Sequence, residues 1–175
     1  MTETFALPPA HRGVLLDDDT LRARWQIARP QITAVLEGET DAVALQSTLA
    51  CLLHATFPHA TWCGFYRRVE PELLAVGPYQ GGLGCLRIPI HRGVCGAAAR
   101  TGEVQRVPDV DRFPGHIACD AKTRSELVVP VFDHAGAVRA VLDLDAEVPD
   151  AFSPWQAEAL DALCREVFSV ATVRW

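Results

Sequence analysis

The cysteine at position 119 stands in a run of residues suited to nucleophilic chemistry, Gly115-His116-Ile117-Ala118-Cys119-Asp120-Ala121-Lys122-Thr123-Arg124-Ser125-Glu126. Pro114-Gly115 marks a turn. The residues after it follow neither a helical nor a strand apolar period, which predicts a loop with its thiol at a surface. His116, Lys122 and Arg124 are cations near Cys119, opposed only by Asp120, and would favour the thiolate, the nucleophilic form of cysteine.

The chain carries six cysteines, at positions 51, 63, 85, 95, 119 and 164. That is too sparse for a disulfide framework, and in a reducing compartment they should rest as thiols, so any disulfide would be transient and catalytic. Cys51 rides among Leu49, Leu52 and Leu53, and Cys164 sits beside Leu160 and Leu163; both are expected to be small buried hydrophobes. Cys85, Cys95 and Cys119 lie in or next to glycine-bearing loops, where thiols can meet. Cys95 falls in the first turn of a small-residue helix, where exposure and the helix dipole would favour a thiolate. A nucleophilic cysteine oxidised to sulfenic acid condenses with a second thiol, which turns a peroxide or sulfoxide oxygen into water and leaves a disulfide.

Glu126, Asp143 and Asp145 supply the acid that such a reaction needs. Along Ala137–Asp145, Leu142 and Leu144 point one way, so Asp143 and Asp145 share the other face with Cα atoms about 6.6 Å apart at about 3.3 Å per residue. Clustered carboxylates repel, so one can stay protonated while another binds a cation; a solvent-facing strand edge is the alternative. The strand Thr61–Arg68 places Trp62, Gly64 and Tyr66 on one face and Cys63 with Phe65 on the other. The two rings form either a plain hydrophobic sheet face or one wall of a ligand pocket. A zinc set of His91, Cys95, His116 and Cys119 has loose spacing and lacks the usual Cys-x2-4-Cys knuckle, and no metal is expected.

These residues need a scaffold. The 175 residues are 49% hydrophobic and 22% charged, as in an ordinary globular protein, and suffice for one core. A net charge of -6 argues against nucleic acid or an anionic membrane as the main partner. No apolar run approaches the roughly 20 residues of a membrane span, and Met1–Arg12 lacks a basic region followed by an apolar one; a cytoplasmic protein is expected. Residues 1–18, with Pro8, Pro9 and the run Asp17, Asp18, Asp19, read as a loose solvated arm before one domain over 19–175. A helix is predicted from Thr20, with Pro30 kinking or breaking it and Gly38 ending it. A second runs from near Thr40 to Pro58 with Val43, Leu45, Leu49, Leu52 and Leu53 on one side. Strands are expected at 61–68, 72–76, 85–90, 127–132 and 137–145, with a mobile glycine-rich connection over 77–84 that lacks the Gly-Lys-Ser/Thr of a phosphate loop. Ser153-Pro154-Trp155-Gln156 signs the start of a last helix with core face Leu160, Leu163, Val167 and Val170. The fold class is α+β, a mainly antiparallel sheet of five or six strands flanked by N- and C-terminal helices.

Trp62-Cys-Gly-Phe-Tyr66, Gly77-Pro-Tyr-Gln-Gly81, Cys85-Leu-Arg-Ile-Pro89, Arg92-Gly-Val-Cys-Gly96, Phe113-Pro-Gly-His-Ile-Ala-Cys-Asp120, Arg124-Ser-Glu126 and Leu142-Asp-Leu-Asp145 together resemble the free methionine-(R)-sulfoxide reductases, which are built on a single GAF domain. The resemblance implies that Cys119 attacks the sulfoxide sulfur, that Cys85 resolves the sulfenic acid as a disulfide, and that Cys95 is an auxiliary thiol. It implies that thioredoxin restores the dithiol, with no bound cofactor. Backbone N–H groups around Ile117, Ala118 and Cys119 would hold the sulfoxide oxygen, Glu126, Asp143 and Asp145 would bind the free amino group and supply the proton, and Trp62 with Tyr66 would enclose the methyl sulfoxide. A homodimer is a family expectation. Cys63, where the family favours Ala, and Ile90-His91, where it favours Phe-Gly, are departures. A GAF fold alone leaves function open, because many such domains are non-catalytic sensors of small regulators; the three cysteines narrow it to the reductase.

Overall fold

Alternation along the central strands sorts their side chains to two sides of one sheet, and helices cover both. The computed structural model describes residues 5–117 and 119–175. Its elements are α1 (Asp18–Leu36), α2 (Ala42–Thr56), β1 (Trp62–Glu70), β2 (Leu73–Gln80), β3 (Arg87–Pro89), α3 (Gly93–Thr101), β4 (Gln105–Val107), β5 (Ser125–Phe132), β6 (Val138–Ala146) and α4 (Pro154–Phe168). The sheet runs β3-β2-β1-β6-β5-β4, with every neighbouring pair antiparallel. On one side Phe65, Leu127, Val129, Leu142 and Leu144 pack against Ile32, Leu45, Leu49, Leu53, Leu160 and Phe168 of α1, α2 and α4. Each fully buried side chain of this size contributes about 1.5–3 kcal/mol, so this layer carries most of the stability. On the other side α3 and the chain around Val110 cover a smaller cluster that includes Trp62, Tyr66, Ile88, Val94, Cys95 and Val128. Among the described residues no helix is long and apolar enough to cross a membrane.

Several expectations need correcting. The three aspartates start α1: Asp17 accepts from the Thr20 N–H at 2.8 Å, and Asp18 and Asp19 occupy the first turn, where carboxylates oppose the positive end of the helix. Pro30 does not break that helix, because the buried Ala28, Ile32 and Leu36 on both sides of it outweigh the one backbone donor it lacks. Residues 5–16 are docked rather than loose. Phe5, Leu7 and Leu16 pack on the helical layer, Gly13 donates to the Pro58 carbonyl at 2.7 Å, and the buried Arg24 guanidinium ties the Pro8 carbonyl to those of Ala55 and Thr56 at the end of α2. Cys51 is exposed, as is Val43: the inward stripe of α2 is Leu45, Leu49, Leu52 and Leu53, and residue 51 lies a further 100° around the helix. Cys164 is buried on the core side as expected, but Val170 lies beyond the end of α4 and is exposed.

The glycine-rich connection also shrinks, since β2 continues through Gly77 and Pro78 to Gln80. Its pairing with β1 shifts register between Gly64 and Tyr66, and this bulge takes the proline, which cannot complete a regular ladder. Gly64 is obligatory at that point. A Cβ there would sit on the Tyr79 Cβ, 2.7 Å from its Cα and 2.9 Å from the Pro78 carbonyl oxygen, contacts that only backbone movement can relieve. We expect Gly64→Ala to cost about 1–3 kcal/mol in urea denaturation. A neutral result means that β2 is free to shift.

Candidate active site

Strand register assembles the site on the sheet face that α3 covers. Trp62 pairs with Asp145, and Asp145 pairs with Glu126, so an indole and two carboxylates form one rank across β1, β6 and β5. The next rank is Gly64, Asp143 and Val128, and the one after holds Tyr66 and Val141. Because Gly64 has no side chain, the rings on either side close over it: Trp62 and Tyr66 stack with centroids 5.5 Å apart, and Tyr79 stacks on the far face of this group at 5.2 Å from Trp62. The two-ring face read from the sequence is therefore both packing and wall, since Trp62 and Tyr66 also line a cavity with Leu83, Cys95, Ile117, Cys119, Glu126, Asp143 and Asp145.

Two loops close that cavity. The short glycine loop lies directly on the rings: a Cβ on Gly84 would come 2.8 Å from Tyr66 Oη and 3.1 Å from Trp62 Cζ2. Cys85 follows it and is bonded to Cys119, 34 residues away, with Cα atoms 5.2 Å apart. The loop that carries Cys119 is anchored at its ends by Gly93 N–H to Gly115 O at 3.1 Å and Arg124 N–H to Ala146 O at 2.8 Å. Ala118 lies outside the described residues, so its expected part is not placed here.

The cations that lie near Cys119 in sequence are not left free. His116 Nε2 sits 2.9 Å from Glu126 Oε1, Arg124 pairs with Asp111 at 3.4 Å, and Lys122 reaches Glu147 at 3.9 Å. Each cation near the cysteine in sequence has a carboxylate partner that the fold supplies. Cys95 also departs from expectation. It is buried, not exposed, and its thiol donates to Asp143 Oδ2 at 3.2 Å. Burial first, then the Asp143 and Glu126 carboxylates, push this thiol well above its ordinary range, which is the opposite of a dipole-stabilised thiolate. Cys119 is in a disulfide and Cys95 is on Asp143, and among the described residues His91, Cys95, His116 and Cys119 do not form a metal-binding group.

Glu126, Asp143 and Asp145 bring carboxylate oxygens within 4.8 Å of one another. Asp143 and Glu126 are buried and Asp145 is partly so. Burial, with repulsion from Glu126, drives Asp143 well above the usual carboxylate range; burial with repulsion from both neighbours does the same to Asp145. Such crowding favours protonation of the two aspartates, and the trio can grip a cation, the ammonium of an amino acid by charge and size or a metal ion. Asp143 Oδ1 and Trp62 Nε1 are buried and have no partner among the described residues, so an acceptor and a donor are available for a ligand. Sequence reasoning named His116 but missed its pairing with Glu126, and it missed Thr61 and Thr123, which line the cavity. No local pattern marks those threonines.

The hydrogen bond to Glu126 raises the His116 pKa against the opposing effect of burial. A folded pKa above the unfolded one stabilises the folded state fully below the unfolded pKa of about 6.5, and that contribution fades as pH rises through the raised folded value. We therefore expect His116→Gln to lower the melting temperature in mildly acidic buffer and to converge on the wild type at alkaline pH. A constant difference across that range means that the pair does not titrate.

Known proteins share this sequence and fold. Residues 12–169 match the GAF domain family. Over 137 residues the chain is 39% identical to the free methionine-R-sulfoxide reductase of Escherichia coli, covering 78% of this chain and 82% of that one. It is 43% identical over 129 residues to protein YtsP of Bacillus subtilis, with 73% and 78% covered. The structure superposes with a TM-score of 0.79 and 38% identity on the free methionine-R-sulfoxide reductase of Neisseria meningitidis solved in complex with its substrate, covering 90% of this chain and 93% of that one. By fold, by length matched and by identity, the chain belongs to the GAF-domain family and groups there with the free methionine-R-sulfoxide reductases.

Proposed function

We propose that this chain reduces free L-methionine (R)-S-oxide to L-methionine through Cys119 and Cys85, with an external dithiol protein of the thioredoxin class as reductant and no bound cofactor. The observation that carries the reading is the Cys85–Cys119 bond at the edge of a cavity whose floor is three carboxylates. A thiol pair supplies reducing equivalents, and the carboxylates answer a substrate with a free ammonium.

The Cys119 thiolate attacks the sulfoxide sulfur while a protonated carboxyl from the Asp143–Asp145 pair gives its proton to the oxygen. The oxygen then passes to Cys119: a new S–O bond forms there while the sulfoxide S–O bond and the transient bond between the two sulfurs break, so methionine leaves and Cys119 is left as sulfenic acid. The Cys85 thiol then forms the S–S bond and the oxygen departs as water, so two electrons pass from the dithiol to the substrate. In this reading backbone N–H groups at Ile117 and Cys119 stabilise the oxygen as charge develops on it, and Trp62 and Tyr66 hold the S-methyl group. With the disulfide formed the cavity measures about 40 Å³, room for roughly three water molecules and less than an amino acid needs. A homodimer and a cytoplasmic location belong to the same reading.

A coupled assay of NADPH oxidation with thioredoxin and thioredoxin reductase, run on both epimers of free methionine sulfoxide, tests it. We expect turnover of the R epimer alone. Absence of R-epimer turnover, with specific binding of a nucleotide or another small regulator in this cavity, would favour a non-catalytic GAF sensor.

A further inference from the structure

Three cysteines face or border the cavity, yet two electrons reduce one sulfoxide and the Cys85–Cys119 pair already supplies them. Cys95 is spare as a redox centre. Its surroundings give it other work. It sits in the first turn of α3, a helix held against β3 by Gly96, where a Cβ would lie 2.7 Å from the Ile90 carbonyl oxygen and 2.9 Å from that of Pro89. This close approach delivers the Cys95 sulfur to β6 at 3.2 Å from Asp143 Oδ2. The site around it is crowded with acceptors: Glu126 on β5 and Asp143 and Asp145 on β6, with the Tyr66 hydroxyl on β1 near Gly84. A thiol in such a place keeps its hydrogen, and here it gives it to the Asp143 carboxyl.

We propose that Cys95 is a positioning residue, not a redox thiol: its S–H clamps Asp143 Oδ2 and leaves the unpartnered Oδ1 for the substrate. The inference rests on the reductase reading and deepens it by assigning the third cysteine. The thiol is the only side-chain donor to Asp143 among the described residues. Without it the carboxyl is free to rotate toward Glu126 or Asp145, and the geometry that receives the substrate is lost.

Cys95→Ser and Cys95→Ala in the full chain separate the two roles. A hydroxyl donates as a thiol does but forms no disulfide. The alanine variant is expected to lose about twofold to tenfold in kcat/KM, the usual range for a single hydrogen bond, and the serine variant to recover most of that loss. Both should still yield one methionine per chain in the absence of reductant, with the Cys85–Cys119 bond found by peptide mapping. Serine as impaired as alanine, or Cys95 found in a disulfide during wild-type turnover, would overturn the proposal. A second readout does not depend on activity. The Raman S–H band that disappears in Cys95→Ser should move to higher frequency in Asp143→Asn and further in Asp143→Ala, because a weaker acceptor releases the S–H bond. An unmoved band in both variants removes the clamp even if the enzyme turns over sulfoxide. Conversely, a wild type without R-epimer turnover ends the reductase reading and leaves the band shift to decide the hydrogen bond alone.

Discussion

Cys119→Ser is expected to abolish sulfoxide reduction, with a loss on the order of 10⁴-fold or more, as for other covalent nucleophiles. A serine hydroxyl neither ionises near neutral pH nor accepts the oxygen as a stable sulfenic counterpart. Cys85→Ser should behave differently. Cys119 still takes the oxygen once, so without reductant the variant should release one methionine per chain, while thioredoxin-driven turnover collapses because no internal disulfide forms. The pair of results is diagnostic. Quantifying methionine in single-turnover and steady-state reactions checks it, and full activity in the Cys119 variant would show that another sulfur is the nucleophile. The two sulfurs lie 34 residues apart in the chain, one after the glycine loop and one in the anchored loop, so only the folded state brings them together.

The next largest effect is expected at the acid cluster. Asp145→Asn should lower kcat/KM by about 10²–10⁴-fold, the usual contribution of a positioned acid or base, and should do so while making the fold more stable at alkaline pH. Burial, Asp143 and Glu126 raise the Asp145 pKa in the folded protein, so its carboxyl favours folding fully below the unfolded pKa of about 3.9. That contribution is lost as pH rises through the folded value. In alkaline buffer the wild type bears crowded negative charge that asparagine does not carry. The variant should melt higher there by about 2–4 °C for each kcal/mol relieved, and the gap should narrow as the buffer is made acidic. A wild type that melts higher than the variant at alkaline pH would mean that the cluster is compensated by other groups. The same assay on N-acetyl methionine sulfoxide, which lacks the ammonium, should show loss of binding in the wild type.

Some of this was legible in the sequence because it depends only on neighbouring residues. A period of two puts Asp143 and Asp145 opposite Leu142 and Leu144, and Trp62 and Tyr66 opposite Cys63 and Phe65, whatever lies on either face; the structure has each set where that period places it. The α4 start is local too: Gln156 Oε1 accepts from the Ser153 N–H at 2.8 Å. What failed depends on contacts made at a distance. Cys51 looked buried because leucines stand beside it in sequence, but adjacent helical positions are 100° apart. Cys95 looked like an exposed first-turn thiol because nothing in Gly93–Thr101 says that β6 will bring Asp143 to it. His116 was assigned to Cys119, three residues away, when the strand that begins at Ser125 presents Glu126 to it instead. Gly77 and Pro78 looked like part of a loop because the bulge that accommodates them forms only when β2 pairs with β1.

The rank that joins Trp62, Asp145 and Glu126 through the pairing of β1, β6 and β5 has a consequence for how this protein can go wrong. Were β6 to slip by one residue against its neighbours, both aspartates would be carried to the apolar side while Leu142 and Leu144 were turned toward the cavity. The error that disarms the catalyst is thus the same error that buries charge in the main core. Burying two carboxylates there is costly, so the register that builds the main core is also the one that turns the acids to the cavity.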